Sequence, residues 1–212
     1  MSYLDEEQEI NPWLSMWKSP RETVRNYVDS GHTKWLWLLA IFAGIKVFLD
    51  NAEAQNVGDQ VSIGSILFLS LFFGTIMGIV QWWLLSGALT LVGNWLGMHA
   101  EWGELRKAVA LSYVPLVWTF FIWIIKIFAF GQENFTPETP TIDASIPLLS
   151  LIVLCYLINY LVFFWFVVVL SKSVAEVYDT SAWTGFGLIL LTAVILSVVF
   201  ILLILPIVLL WY

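Results

Sequence analysis

The chain has 212 residues, 60% of them apolar and only 12% charged, with a net charge of −7. That composition is expected of a multi-spanning membrane protein with little soluble mass; it leaves no room for a separate catalytic domain and speaks against nucleic acid as a partner. The single cysteine, Cys155, excludes an intramolecular disulfide and a cysteine-rich metal site.

The acidic start, with Asp5, Glu6, Glu7 and Glu9, does not fit a cleavable signal peptide, and residues 1–10 are expected to be disordered. Asn11 can cap a short helix with Pro12 at its first position, and Trp13, Leu14 and Trp17 fall on one face of it. Trp13 and Trp17 are therefore candidate interfacial anchors. Ser19 and Glu22 form a capping-box pattern for a second helix with apolar Val24, Tyr27 and Val28 and basic Arg21 and Arg25, ended by Gly31. For this second helix, lipid-headgroup anchoring and a regulatory binding surface are both open. The N-terminal segment is taken as 1–33 and a transmembrane unit as 34–212.

Five transmembrane helices are expected, near 35–53, 62–88 (extended towards 96), 108–130, 147–170 and 187–211, preceded by the short interfacial amphipathic helices. The fold class is thus an all-α integral membrane protein. The run 61–98 is too long for one crossing at about 1.5 Å per residue, so it tilts, leaves the membrane past the belt pair Trp82-Trp83, or breaks near Gly87. Ser70, Gly74, Gly78, Gly93 and Gly97 line it at four-residue spacing and are candidate helix-packing positions, within one bundle or between copies. Lys18, Arg21, Arg25, Lys34, Arg106, Lys107 and Lys172 flank one set of span ends, whereas segments 51–61 and 131–146 hold acids and no Lys or Arg. This asymmetry predicts a cytoplasmic N-terminus and an outer C-terminus anchored by Trp211-Tyr212.

Asn11-Pro12-Trp13, then Ser19-Pro20-Arg21-Glu22-Thr23, then Ala110-Leu111-Ser112-Tyr113-Val114-Pro115 at the third span together resemble the Yip1 family in its short bacterial form. The resemblance implies an α-helical protein of the bacterial inner membrane with a cytoplasmic N-terminus and no established enzymatic activity. Its eukaryotic relatives are associated with Rab-type GTPases and vesicle traffic. The chain lacks their longer N-terminal region and Asp-Leu-Tyr-Gly-Pro type motif, so GTPase binding is not carried over.

Polar residues inside spans are the place to look for function, because charge is costly there. Lys46, Asp50, Gln81, Lys126 and Asn159 are the candidate polar intramembrane site. Lys46 can pair with Asp50 one turn on, and both lysines are near enough to the outer ends to snorkel; facing each other, they would make an anion or headgroup site. Asn159 shares a face with Cys155, Tyr156 and Tyr160 and suits an interhelical hydrogen-bond cluster or a polar path. Asn134-Phe135-Thr136 matches a glycosylation acceptor, which means nothing in a bacterial protein. Glu104 is read as helping a helix start rather than as an acid or base. No Gly-x-Ser-x-Gly, His-Glu-x-x-His or phosphate loop occurs, and no catalytic, cofactor or metal residues are assigned. The expected function is that of a non-enzymatic adaptor or shaping protein that organises or recruits membrane components, with the bilayer, other membrane proteins or further copies as partners. The alternative is a small transporter or lipid scramblase using Lys46, Asp50 and Lys126.

Overall fold

The computed structural model describes residues 11–211. The expectations for residues 1–10 and for the Trp211-Tyr212 anchor fall outside the residues and side chains described. Among the described residues all regular structure is helical. Two short helices, α1 (Pro12–Lys18) and α2 (Pro20–Asp29), lead into α3 (Leu36–Ala54). The next pass is α4 (Ile63–Leu69), a π-helical turn at Ser70–Gly74, and α5 (Thr75–Trp95). The return is built of α6 (Trp102–Ser112), α7 (Val114–Trp118) and α8 (Phe120–Phe130), then a short α9 (Pro140–Asp143), the long α10 (Ile146–Val177) and α11 (Ala182–Trp211). Successive passes alternate in direction. The end where α1 and α2 lie is called proximal here, the opposite end distal.

Four stretches are long and apolar enough to cross a membrane: Ile63–Trp95, Trp102–Phe135, Ile146–Val177 and Ala182–Leu203. The fifth expected span, α3, has 19 residues but carries Lys46, Asp50 and Glu53. The stretch 61–98 does not break near Gly87: α5 runs unbroken through it. Ser86 and Thr90 return their hydroxyls to the carbonyls of Trp82 and Ser86, so these polar residues stay inside a regular helix. The irregularity sits instead at the π turn, where Gly74 meets α3. The third pass is interrupted at Tyr113 and Thr119; at the first, Pro115 has no N–H to give to the Leu111 carbonyl of the preceding turn.

Close approach of α3 and α5 needs glycine on both sides. A Cβ on Gly44 would fall inside the Gly74 carbonyl and the Gly78 backbone, and one on Gly74 would lie 2.7 Å from the Cα of Ile45. Ser70 is buried beside them, with its hydroxyl on the Leu67 carbonyl. This part of the small-residue stripe thus faces the chain's own α3. Gly93 lies against the ring of Tyr178, whose hydroxyl donates to the Leu89 carbonyl at 2.9 Å. Gly97 packs against nothing: it has open space around it and φ of +83°, and it closes the C-terminus of α5 in the left-handed conformation. Gly185 was not singled out from the sequence, yet it lets α11 rest on the Ser171 carbonyl of α10.

Asn11 caps α1 through its side chain, accepting from the Trp13 N–H at 3.0 Å. The Ser19 capping box does not form, because the Ser19 N–H closes α1 on the Ser15 carbonyl and its side chain caps nothing in α2. Glu104 does take part at a helix start, its carboxylate accepting from the Glu101 N–H at 3.0 Å. The apolar face of α2 is not left to lipid. Val24 and Tyr27 are fully buried and, with Met16 of α1, belong to the same core as Leu105, Val109, Leu170 and Val174 of α6 and α10.

A chain of indoles marks the level at which α3 begins. Trp13 packs edge-on against Trp35 at 5.7 Å, Trp37 against Trp82 at 5.2 Å, and Trp83 against Trp102 at 5.1 Å. Trp118 donates its indole N–H to the Trp13 carbonyl. Beyond this belt, the end of α5, α6, α2 and the end of α10 enclose the larger core; on the distal side a smaller core forms around Ile45, Leu49, Ile66, Trp123 and Phe135.

Candidate functional site

The distal half of α3 places Lys46, Asp50 and Glu53 at i, i+4 and i+7, one stripe of one helix. The Lys46 ammonium donates to Asp50 Oδ2 at 2.5 Å. The other oxygen of Asp50 accepts from the Trp123 indole N–H of α8 at 2.9 Å. Glu53 pairs with Lys126 of α8 and also accepts from the Tyr156 hydroxyl of α10 at 2.7 Å. The Lys126 ammonium lies 4.2 Å from the centre of the Trp123 ring and 5.0 Å from that of Tyr156, so its charge is met by two π faces as well as by a carboxylate. Three helices are thereby joined by two cations and two anions whose charges cancel.

Lys126 does not snorkel. It is 2% exposed and turns into the bundle, where Glu53 replaces the headgroup region as its counter-charge. Lys46, 8% exposed, takes the in-helix partner expected from its spacing. Lys126 lies against Trp123 and Lys46 is linked to the same indole through Asp50, but each lysine has its own acid, so they do not present a bare cationic patch to an anion. Asn134 supports the cluster from below, its amide donating to the Lys126 carbonyl at 2.8 Å. Gln132 ties the two distal loops together, accepting from the Ile63 N–H and donating to the carbonyls of Gly58 and Val61.

Gln81 and Asn159 lie apart from this cluster. Gln81 is exposed on a lateral groove of about 930 Å³ lined by apolar residues of α5, Trp102 and Leu196. Asn159 returns its amide to the Cys155 carbonyl of its own helix, and its Oδ1 is buried without a partner. The hydrogen bond between helices comes from its neighbour Tyr156 instead. Sequence reasoning missed Glu53, Trp123 and Tyr156 as members of the cluster. Glu53 was legible: it continues the Lys46–Asp50 stripe by one turn, at the edge of the acidic segment 51–61.

A second charged cluster holds the proximal end. The buried carboxylate of Glu176, 6% exposed, is met by Arg25 and, at 3.5 Å, by Arg21 of α2. Arg21 also donates to the Thr180 carbonyl at 2.7 Å, and Lys107 to the Val28 carbonyl at 3.2 Å. Beside them is a cleft of about 270 Å³ lined by Val24, Val28, Asp29, Glu104 and Asp179 among others. Trp13 and Trp17 are half-buried against the core.

A family model described as the Yip1 domain matches residues 14–205, nearly the whole chain and all of the elements that build both clusters. No curated protein and no solved structure matches.

Proposed function

Because the chain belongs to the Yip1 domain family and has several helices able to cross a bilayer, it is a multi-pass membrane protein, and we propose that it is a non-enzymatic one that organises or recruits other membrane components through its proximal face. In this reading α3 is a fifth crossing, the membrane is a bacterial inner membrane, the N-terminus is cytoplasmic and the C-terminus lies outside. Other membrane proteins or further copies of the chain are its partners, with Trp13 and Trp17 anchoring α1 at the interface.

The observation that carries the proposal is the pairing of both intramembrane lysines. A transporter for anions or lipid headgroups needs charge available to offset the desolvation of its cargo. Here Lys126 is spent on Glu53 and Lys46 on Asp50. Pairing also explains how α3 tolerates three charged residues in a bilayer.

The deciding experiment puts purified protein in liposomes and measures anion flux and lipid scrambling, beside capture of partners from native membrane. The variants are charge-neutral replacements, Lys46→Met with Asp50→Asn and Lys126→Met with Glu53→Gln, so that no carboxylate is stranded. The adaptor reading expects no flux in wild type and retained partner capture in both variants. Flux in wild type that is lost in both variants, with insertion and thermal stability unchanged, would overturn it in favour of the transporter or scramblase.

A further inference from the structure

We infer that the crevice between the proximal ends of α10 and α11 is a binding site for a phospholipid with an anionic headgroup. The crevice has a volume of about 230 Å³ and is walled by Val167, Val168 and Phe186, with Lys172 and Trp183 at its mouth. Ser171 is also part of its lining. Gly185 of α11 sits directly on the Ser171 carbonyl, so α10 and α11 touch by backbone beside the crevice.

Three features select the occupant. The walls are apolar and laterally open, which suits an acyl chain and no water-soluble ligand. Lys172 is half-exposed and, among the described residues, has no hydrogen bond, ion pair or ring contact, unlike Lys46, Lys107 and Lys126. Its charge is available to a phosphate, and a basic pocket between membrane helices is the arrangement that captures anionic headgroups. The depth also agrees. Phe166 stacks on Tyr113 at 6.0 Å, and Lys172, six residues or about 9 Å further along antiparallel α10, comes level with the Arg106 turn of α6, whose carbonyl accepts from the belt residue Trp82. That places the ammonium in the headgroup layer, with Val168 and Val167 leading from it towards the hydrocarbon. Trp183, 82% exposed, is the amphipathic ring expected at the same level.

The test is native mass spectrometry of the full-length protein released from nanodiscs of equal phosphatidylglycerol and phosphatidylcholine. Wild type should retain phosphatidylglycerol preferentially. Lys172→Gln should lower that preference roughly fivefold, the equivalent of about 1 kcal/mol, while Lys172→Arg keeps it. Val168→Trp, which fills the crevice, should lower total retained lipid without changing the thermal midpoint. Lys18→Gln, an exposed charge at the end of α1, should change neither. Equal retention of both lipids by wild type, an unaltered preference in Lys172→Gln, or an equal loss in Lys18→Gln would overturn the site, the last by showing a general surface-charge effect.

Discussion

Lys126 and Glu53 lie 73 positions apart in sequence and meet inside the bundle. Lys126→Met alone strands a carboxylate in a largely buried position, and a loss of about 3–5 kcal/mol is expected. Adding Glu53→Gln should recover most of it, because the amide still accepts from Tyr156 and neither charge of that pair remains. Thermal unfolding in detergent measures both, and equal instability of the single and double variants would show that the ion pair is not what holds α8 to α3. The Lys46–Asp50 pair was legible in the sequence, since it is local to one helix. The direction of Lys126 was not, because a long side chain near a span end reaches water or a partner with equal ease, and its partner belongs to another helix. Trp123 likewise gave no sign of being a hydrogen-bond donor to Asp50 rather than one more membrane aromatic.

At the scale of helices, what holds α2 down is Glu176. Glu176→Gln removes the buried charge shared by Arg21 and Arg25, and amide exchange in α2 should rise roughly ten- to a hundredfold, from the roughly 1.5–3 kcal/mol typical of hydrogen bonds to charged groups. Unchanged exchange would mean that Val24 and Tyr27 suffice. The crossing of α3 on α5 is more demanding. Gly78→Ala should cost about 1–3 kcal/mol as over-packing, since its Cβ would meet the backbone of Ala40 and Gly44. Gly187→Ala, with open space around it, serves as the neutral control in the same melting assay. Local rules found the Asn11 cap, the Gly31 stop and the role of Glu104. They failed at Ser19 because that residue both ends α1 and precedes α2, and its N–H was already committed. They failed at Gly97 because its spacing alone does not separate a packing glycine from a left-handed cap.

For the molecule as a whole, reporter fusions after Gly31, Gly103 and Tyr178 should give a cytoplasmic signal and fusions after Gly58 and Pro140 an outer one. A signal from the same side at Gly31 and Gly58 would remove α3 as a crossing. The apolar runs and their order were readable from composition. The two-storey interior was not, because hydropathy scores lipid and protein surroundings alike. The 18-residue apolar window of Trp102–Phe135 is 61% buried inside the protein and that of α10 only 11%, although both read as spans. The pairing of Glu53 with Lys126 has a further consequence for how the chain is made. Synthesis delivers α3 with Asp50 already answered by Lys46, but Glu53 must wait for more than seventy further residues before its counter-ion emerges. In the five-crossing reading, α3 spends that interval in the bilayer with an unpaired carboxylate, which makes it a marginal segment until α8 arrives. On that reading the first hydrophobic helix to leave the ribosome is among the last to be secured.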